Sequence, residues 1–100
     1  MRIIAKKALR DFWELHPDCE QALKSWFKDV SAANWESFND VQEMFGRASA
    51  VGSDRIVFRI RGNQYRLIVR VNYAFSIIYI KFVGTHAEYD KVDAETFDHY

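Results

Sequence analysis

The run Gly84-Thr-His-Ala-Glu-Tyr-Asp90 holds three side chains able to move or steer a proton: His86, Tyr89 and Asp90. It follows an apolar segment, so a chain leaving a strand at Gly84 sets these groups beside the strand ends. Three cations upstream, Arg66, Arg70 and Lys81, fall at strand-like spacing. This inventory suits cleavage of an RNA phosphodiester without a metal. A base takes the proton of the ribose 2′-hydroxyl, cations hold the charge growing on the phosphorus oxygens, and an acid protonates the leaving 5′-oxygen. The nucleophile belongs to the substrate, so no serine or cysteine is needed. On this reading His86, Tyr89 and Asp90 each can transfer the proton or orient the group that does, Arg66, Arg70 and Lys81 supply the cations, and Tyr79 or Tyr89 stacks on a base. Each group also has a plain reading. A lone His in a loop is a surface residue, Thr85-His86 suits a helix cap or a turn, and alternating arginines make a solvated strand face.

The elements that must position these residues run from Arg55 to Asp90. Three segments alternate with period 2, which predicts an antiparallel meander. Ile56, Phe58 and Ile60 share one face with Tyr65, Leu67, Val69, Val71, Ile78, Ile80 and Phe82. The other face carries Arg55, Val57, Arg59, Arg61, Gln64, Arg66, Ile68, Arg70, Asn72, Tyr79 and Lys81. Gly62-Asn63 supplies the positive φ angles of a two-residue hairpin, which pairs Ile60 with Tyr65 and Arg59 with Arg66. A four-residue loop, Tyr73 to Ser76, pairs Asn72 with Ile77 and Arg70 with Tyr79. A slip of one residue would turn each apolar set outward.

Between Arg55 and Lys81 there are six basic residues and no acidic one. Arg59 opposite Arg66 is a like-charge pair, costing roughly 0.2–1 kcal/mol. A face that tolerates such repulsion is suited to a polyanion. Arg55, Arg59, Arg61, Arg70 and Tyr79 are its candidate RNA contacts, with Asn63 assigned first to the turn and second to RNA. The formal net charge of the 100 residues is zero, which argues against a general nucleic-acid coat. The balancing acid lies elsewhere: Glu88 to Tyr100 holds five acidic residues and one lysine.

Half of the chain is hydrophobic, enough for one small domain over residues 1–100 with a packed core. Met1 to Ala5 reads as a strand joining one edge of the sheet. Ala5, Ala8, Leu9, Phe12 and Trp13 predict a helix over Lys6 to Leu15, ended by Pro17, which also opens a second helix. Cys19, Ala22, Leu23, Trp26, Phe27 and Val30 form that helix's apolar stripe. A third helix spans about Asn34 to Phe45, capped by Ser37 or Asn34. Gly46 to Asp54 reads as a polar loop, and residues 93–100 as a frayed acidic tail, with at most one helical turn. The fold class is α+β, in the order β-α-α-(α)-β-β-β, with helices on one face of an antiparallel or mixed sheet and an open basic face.

Cys19 is the sole cysteine and lies between Asp18 and Glu20, so neither a disulfide nor an activated thiolate is expected. His16, His86 and His99 are too scattered for a metal site, and no cofactor is implied. No signal-peptide pattern or membrane-length run occurs, so a cytoplasmic protein with no membrane partner is expected.

The segments Gly62-Asn63-Gln-Tyr65-Arg66-Leu-Ile-Val-Arg70 and Tyr79-Ile-Lys81-Phe-Val-Gly84-Thr85-His86-Ala-Glu88-Tyr89-Asp90 resemble the HigB-type toxins of bacterial type II toxin–antitoxin pairs. The opening Met-Arg-Ile-Ile-Ala-Lys-Lys-Ala-Leu-Arg and the Trp-Phe pair of the second helix extend the resemblance over nearly the whole chain. It implies a RelE-like fold and a ribosome-dependent endoribonuclease, an mRNA interferase, working on the open side of the sheet. It also implies a helix-turn-helix, HigA-like antitoxin that neutralises the toxin, with operator DNA met only through that antitoxin. Catalytic sets vary in this superfamily, so the resemblance carries over to Arg66, Lys81, His86, Tyr89 and Asp90 as a cluster. Two other functions fit the same basic face: a non-catalytic RNA- or ribosome-binding module, and an interaction domain for an acidic protein.

Overall fold

The computed structural model describes residues 1–98. The elements run β1 (Arg2–Ile4), α1 (Lys6–Leu15), a 3-10 turn (Pro17–Cys19), α2 (Glu20–Ala32), α3 (Phe38–Met44), β2 (Ser49–Val51), β3 (Arg55–Ile60), β4 (Tyr65–Asn72), β5 (Ile77–Thr85) and α4 (His86–Tyr89). The α+β order read from periodicity holds, with three differences ahead of β3 and a short helix, α4, after β5. Pro17 opens a 3-10 turn, so the second helix begins at Glu20. Residues 49–51, expected within a loop, form β2; three residues are too few to display alternation. The third helix starts at Phe38 rather than near Asn34, with Ser37 at its cap position and the Asp40 carboxylate accepting from the Glu36 N–H at 2.9 Å.

The sheet order is β1-β5-β4-β3-β2. β1 runs parallel to β5 and the other neighbours are antiparallel, so the sheet is mixed. The N-terminal ammonium donates to Ala33 O at 2.6 Å, at the C-terminal end of α2, where the helix dipole favours a cation. That contact and the β5 pairing fix the edge that β1 takes. Leu9, Phe12 and Trp13 of α1 and Leu23, Trp26 and Val30 of α2 bury against Ile56, Phe58, Leu67, Val69, Ile78 and Ile80. Trp26 meets Phe58 edge-on, with ring centroids 5.4 Å apart. The aromatic stripe of the helices is thus core.

Register matches expectation at Ile60–Tyr65, Arg59–Arg66, Asn72–Ile77 and Arg70–Tyr79. The β3–β4 turn does not. Positive φ falls on Arg61 (52°) and Gly62 (66°), not on Gly62 and Asn63, so residues 61–64 form a wider turn and Arg61 leaves the ladder. A second departure lies in β5. Ile80 pairs with Val69 but Phe82 with Ile68, leaving Lys81 as the extra residue of a bulge. One extra residue reverses the alternation beyond it. Phe82, expected beneath the helices, therefore lies on the opposite face with Val57 and Ile68, while Val83 joins the helix-side core.

Those three apolar side chains would be wet on an open face. Tyr89, Val92, Ala94 and Phe97 cover them instead. Phe97 packs edge-on against Phe82 at 5.4 Å, and the Arg55 Nη1 donates to Phe97 O at 2.5 Å and Ala94 O at 3.4 Å. Removing apolar surface from water, at about 25 cal/mol per Å², outweighs the freedom of a tail. Residues 93–98, expected to fray, are accordingly a strap across the sheet, and the basic face is open only in part. The remainder of the expected tail, His99 and Tyr100, lies outside the described residues. Among the described residues no helix is long and apolar enough to cross a membrane.

Candidate functional site

The strap's apolar cluster divides the basic face into two regions. The first is a corner built around Arg66, whose residue is only 6% exposed. Its Nη1 donates to Asn63 O (3.0 Å) and Tyr65 O (3.2 Å), and its Nη2 to Asn63 Oδ1 (2.7 Å). A guanidinium has five N–H donors, so two find no protein acceptor among the described residues. No carboxylate there lies within ion-pair distance of it. The guanidinium carbon sits 5.8 Å from the centre of the Tyr89 ring. Burial, and then the Arg59 charge directly opposite, pull Arg66 below its ordinary pKa; Tyr89 and Asp90 act the other way. A buried cation with neutral partners and spare donors is arranged to receive an anion.

His86 and Asp90 close the same corner. Thr85 caps α4: its Oγ1 accepts from the Glu88 N–H (3.1 Å), and a Glu88 carboxylate oxygen accepts from the Thr85 N–H (2.8 Å). The capping box spends Glu88 on structure. The His86 N–H donates to Gln64 O at 3.0 Å, tying α4 to the β3–β4 turn that also holds Arg66. One turn of helix brings His86 Nδ1 within 3.3 Å of Asp90 Oδ2. The ring's Nε2 has no hydrogen-bond partner among the described residues, and the side chain is 46% exposed. A carboxylate on one imidazole nitrogen fixes the ring and leaves the other for proton transfer. Four of the five residues expected to act together (Arg66, His86, Tyr89 and Asp90) are thus gathered.

Lys81, the fifth, is not in that corner. From its bulge it reaches Asp98, with Nζ to Oδ1 at 3.2 Å, and lies 5.9 Å from the centre of the Tyr79 ring. It belongs to the second region, a cleft of about 510 Å³ lined by Arg70, Tyr79, Lys81, Asp54, Asn72 and Tyr73 among others. Arg70 stands four residues along β4 from Arg66, about 13 Å at strand rise. Its Nε donates to Asp54 Oδ2 at 2.7 Å, and that bond raises its pKa. Both cations of this region therefore already have a carboxylate.

The remaining expected RNA contacts divide. Arg59 is exposed and has no acidic partner among the described residues. Arg55 is spent on the strap carbonyls. Arg61, displaced by the wider turn, reaches the helix side and pairs with Asp18 Oδ2 at 3.1 Å and with Gln64. Asn63 holds Arg66 through two acceptors, a positioning task. Sequence reasoning missed Asp18, Asp54 and Asp98 as internal partners, and Arg47, whose charge also reaches Arg66. Tyr89, Val92 and Phe97, apolar bodies within an acidic segment, were the available signal for the strap.

The fold and this corner define a small α+β sheet domain that sets a buried arginine of its central strand beside a His–Asp pair. A model of the HigB toxin family, described as the RelE-like toxic component of a toxin–antitoxin system, matches residues 19–92. The chain belongs to that family, and its five-stranded mixed sheet is a RelE-like fold. A toxin of such a system has a cognate antitoxin as its partner. No curated protein sequence matches the chain.

Proposed function

We propose that this toxin is a ribosome-dependent endoribonuclease of the cytoplasm that cuts translated mRNA, and that a helix-turn-helix, HigA-like antitoxin silences it and alone contacts operator DNA. The observation that carries this reading is Arg66, a guanidinium almost wholly buried and, among the described residues, without a carboxylate and with two donors unpaired, beside a His–Asp pair and a tyrosine. A scissile phosphate set against Arg66 has its growing charge met in a low-dielectric place. His86, steered by Asp90, exchanges the proton of the 2′-hydroxyl or of the 5′-oxygen. Tyr89 offers its ring to a base, and Arg59 a second positive charge. Lys81, Arg70 and Tyr79 serve RNA farther along the sheet rather than the bond being cut.

A second reading, RNA or ribosome binding without cleavage, draws support from Lys81, which stands outside the Arg66 corner and leaves the expected cluster one cation short. Induction in cells lacking the antitoxin, followed by mapping of RNA 5′ ends, separates the two. Cleavage predicts growth arrest with new ends inside translated messages, abolished by His86→Ala and by Arg66→Ala in folded protein. Arrest without new ends selects the binding module. New ends from His86→Ala at the wild-type rate remove His86 from the chemistry.

A further inference from the structure

Arg66 presents one particular edge to a ligand. A planar guanidinium has two edges that each carry a pair of parallel donors, Nη1 with Nη2 and Nε with Nη2. Asn63 accepts from both Nη atoms, its carbonyl 3.0 Å from Nη1 and its Oδ1 2.7 Å from Nη2, and so occupies the first edge. The Tyr65 carbonyl takes the other Nη1 hydrogen at 3.2 Å. The Nε–H and the second Nη2–H remain, side by side on the other edge. That edge is not sealed from water. Among the described residues the buried side-chain nitrogens and oxygens that lack a hydrogen-bond partner are the indole nitrogens of Trp26 and Trp35, and the unbonded Nε of Arg66 is not one of them.

The same edge is used differently farther along β4. Arg70 gives its Nε to Asp54 Oδ2 at 2.7 Å, so a carboxylate of the chain holds the position that Arg66 keeps open. Asp90 does not take that position at Arg66; it turns to His86 Nδ1, at 3.3 Å. The acceptor on the occupied edge is equally informative. Positive φ falls on Arg61 and Gly62 and not on Asn63, so the backbone of the turn makes no demand for asparagine there. What residue 63 supplies is an acceptor without charge. Aspartate has the same reach, but its carboxylate would neutralise the guanidinium inside the molecule. An amide fixes the plane and leaves the positive charge for the ligand. Two parallel N–H groups bearing an uncompensated charge match two oxygens of one phosphate, the bidentate geometry of arginine–phosphate pairs.

We propose that Asn63 is a positioning residue that holds Arg66 with its Nε–Nη2 edge as a fork for the two non-bridging oxygens of one RNA phosphate, and that an amide rather than an acid at this position keeps the fork charged. On the nuclease reading, on which this rests, that phosphate is the one at the cut. The test does not require cleavage. In full-length toxin labelled with nitrogen-15, the Arg66 Nε–H resonance reports on the fork. A short 2′-O-methyl RNA, which cannot be cut, is expected to shift it to saturation, and inorganic phosphate to shift it at higher concentration. Asn63→Asp keeps an acceptor at Nη2, so its thermal midpoint should equal or exceed that of wild type. Its affinity for the same RNA should nevertheless fall by about tenfold or more, the scale of one charge-assisted hydrogen bond, and its Nε–H should no longer respond at the concentration that saturates wild type. A residue that serves only the turn predicts the reverse, since aspartate suits a turn as well as asparagine does. Wild-type affinity and response in Asn63→Asp therefore overturn the proposal. So does a wild-type resonance that RNA leaves unmoved, including one that moves with inorganic phosphate alone. Mapping of 5′ ends after induction keeps the two readings apart. Cuts by wild type with an Nε–H that ignores RNA discard the fork and retain the nuclease; an Nε–H that responds to RNA without any cuts retains the fork and discards the nuclease.

Discussion

The Nζ of Lys81 lies 3.2 Å from the Asp98 carboxylate, and it reaches there from the extra position of a β-bulge. Without the bulge Lys81 would be one more rung of the ladder. With it, the ammonium is mostly covered, its side chain 14% exposed, where the strap crosses the sheet. An acid of the same chain thus stands where a substrate phosphate was expected.

Asp98→Asn should free that cation for RNA. Binding of a short single-stranded RNA, followed by fluorescence anisotropy over a salt series, should show a log–log slope steeper by about 0.7, the increment for one more phosphate neutralised. An unchanged slope means that Lys81 does not reach RNA even when released.

The helix-side core was legible because each of its elements repeats. Leu9, Phe12 and Trp13, and the alternation from Ile56 to Ile60, state one period several times over, and hairpin register followed from where each turn is centred, although the first turn is four residues rather than two. The opposite face was less legible for a local reason. The bulge is a single inserted residue, and its trace in the sequence is the adjacent apolar pair Phe82-Val83, which breaks alternation just before Gly84. Val57 and Ile68 fall on the basic face as alternation requires, but nothing local to them in the sequence points to Phe97 as their cover. The site corner was half legible. His86, Tyr89 and Asp90 are close in sequence, whereas Gln64 meets α4 through its backbone carbonyl, which side-chain identity does not announce, and Asn63 reaches Arg66 through its carbonyl and its Oδ1 only once the turn is wider than expected. Asp18, Asp54 and Asp98 are ordinary surface acids until the fold brings a cation to each.

Arg66→Met tests whether the buried guanidinium serves function at the expense of stability. A buried charge without a counter-ion carries a desolvation cost that an unbranched apolar side chain avoids. The variant is expected to match or exceed the wild-type thermal midpoint while losing RNA binding and growth arrest. A midpoint several degrees lower would show that the bonds to Asn63 and Tyr65 more than offset desolvation.

Tyr65 gives a stability signature in alkali. Its hydroxyl donates to Asp18 Oδ1 at 2.6 Å, and that bond, with burial second, pushes the phenol from 10.0 up to about 12. The folded-state value lies above the unfolded one, so the stabilisation is complete below pH 10 and disappears as pH rises toward about 12. Tyr65→Phe should therefore cost about 1 kcal/mol near neutral pH, with the gap between variant and wild type narrowing over that alkaline window. Denaturant titrations at a series of pH values measure it, and a gap that is constant with pH rejects the hydrogen bond as its source.

Gly84 is required for space rather than for backbone conformation. Its φ is not left-handed, but a Cβ there would come within 2.5 Å of Phe82 Cζ. The Phe82 ring cannot simply turn aside, because Phe97 and Tyr89 pack against it at 5.4 and 6.5 Å. Gly84→Ala should cost roughly 1–3 kcal/mol, as overpacking does, and the displaced ring should lift the strap before it disturbs the sheet. Hydrogen exchange should then show the Val92 and Phe97 amides losing protection while those of Leu67 and Val69 keep theirs. The strap's release frees Asp98 from Lys81 as well, so the same variant is expected to bind RNA with the steeper salt dependence of Asp98→Asn. Wild-type stability with full protection at Phe97 would mean that the ring has room after all and that the strap does not depend on it.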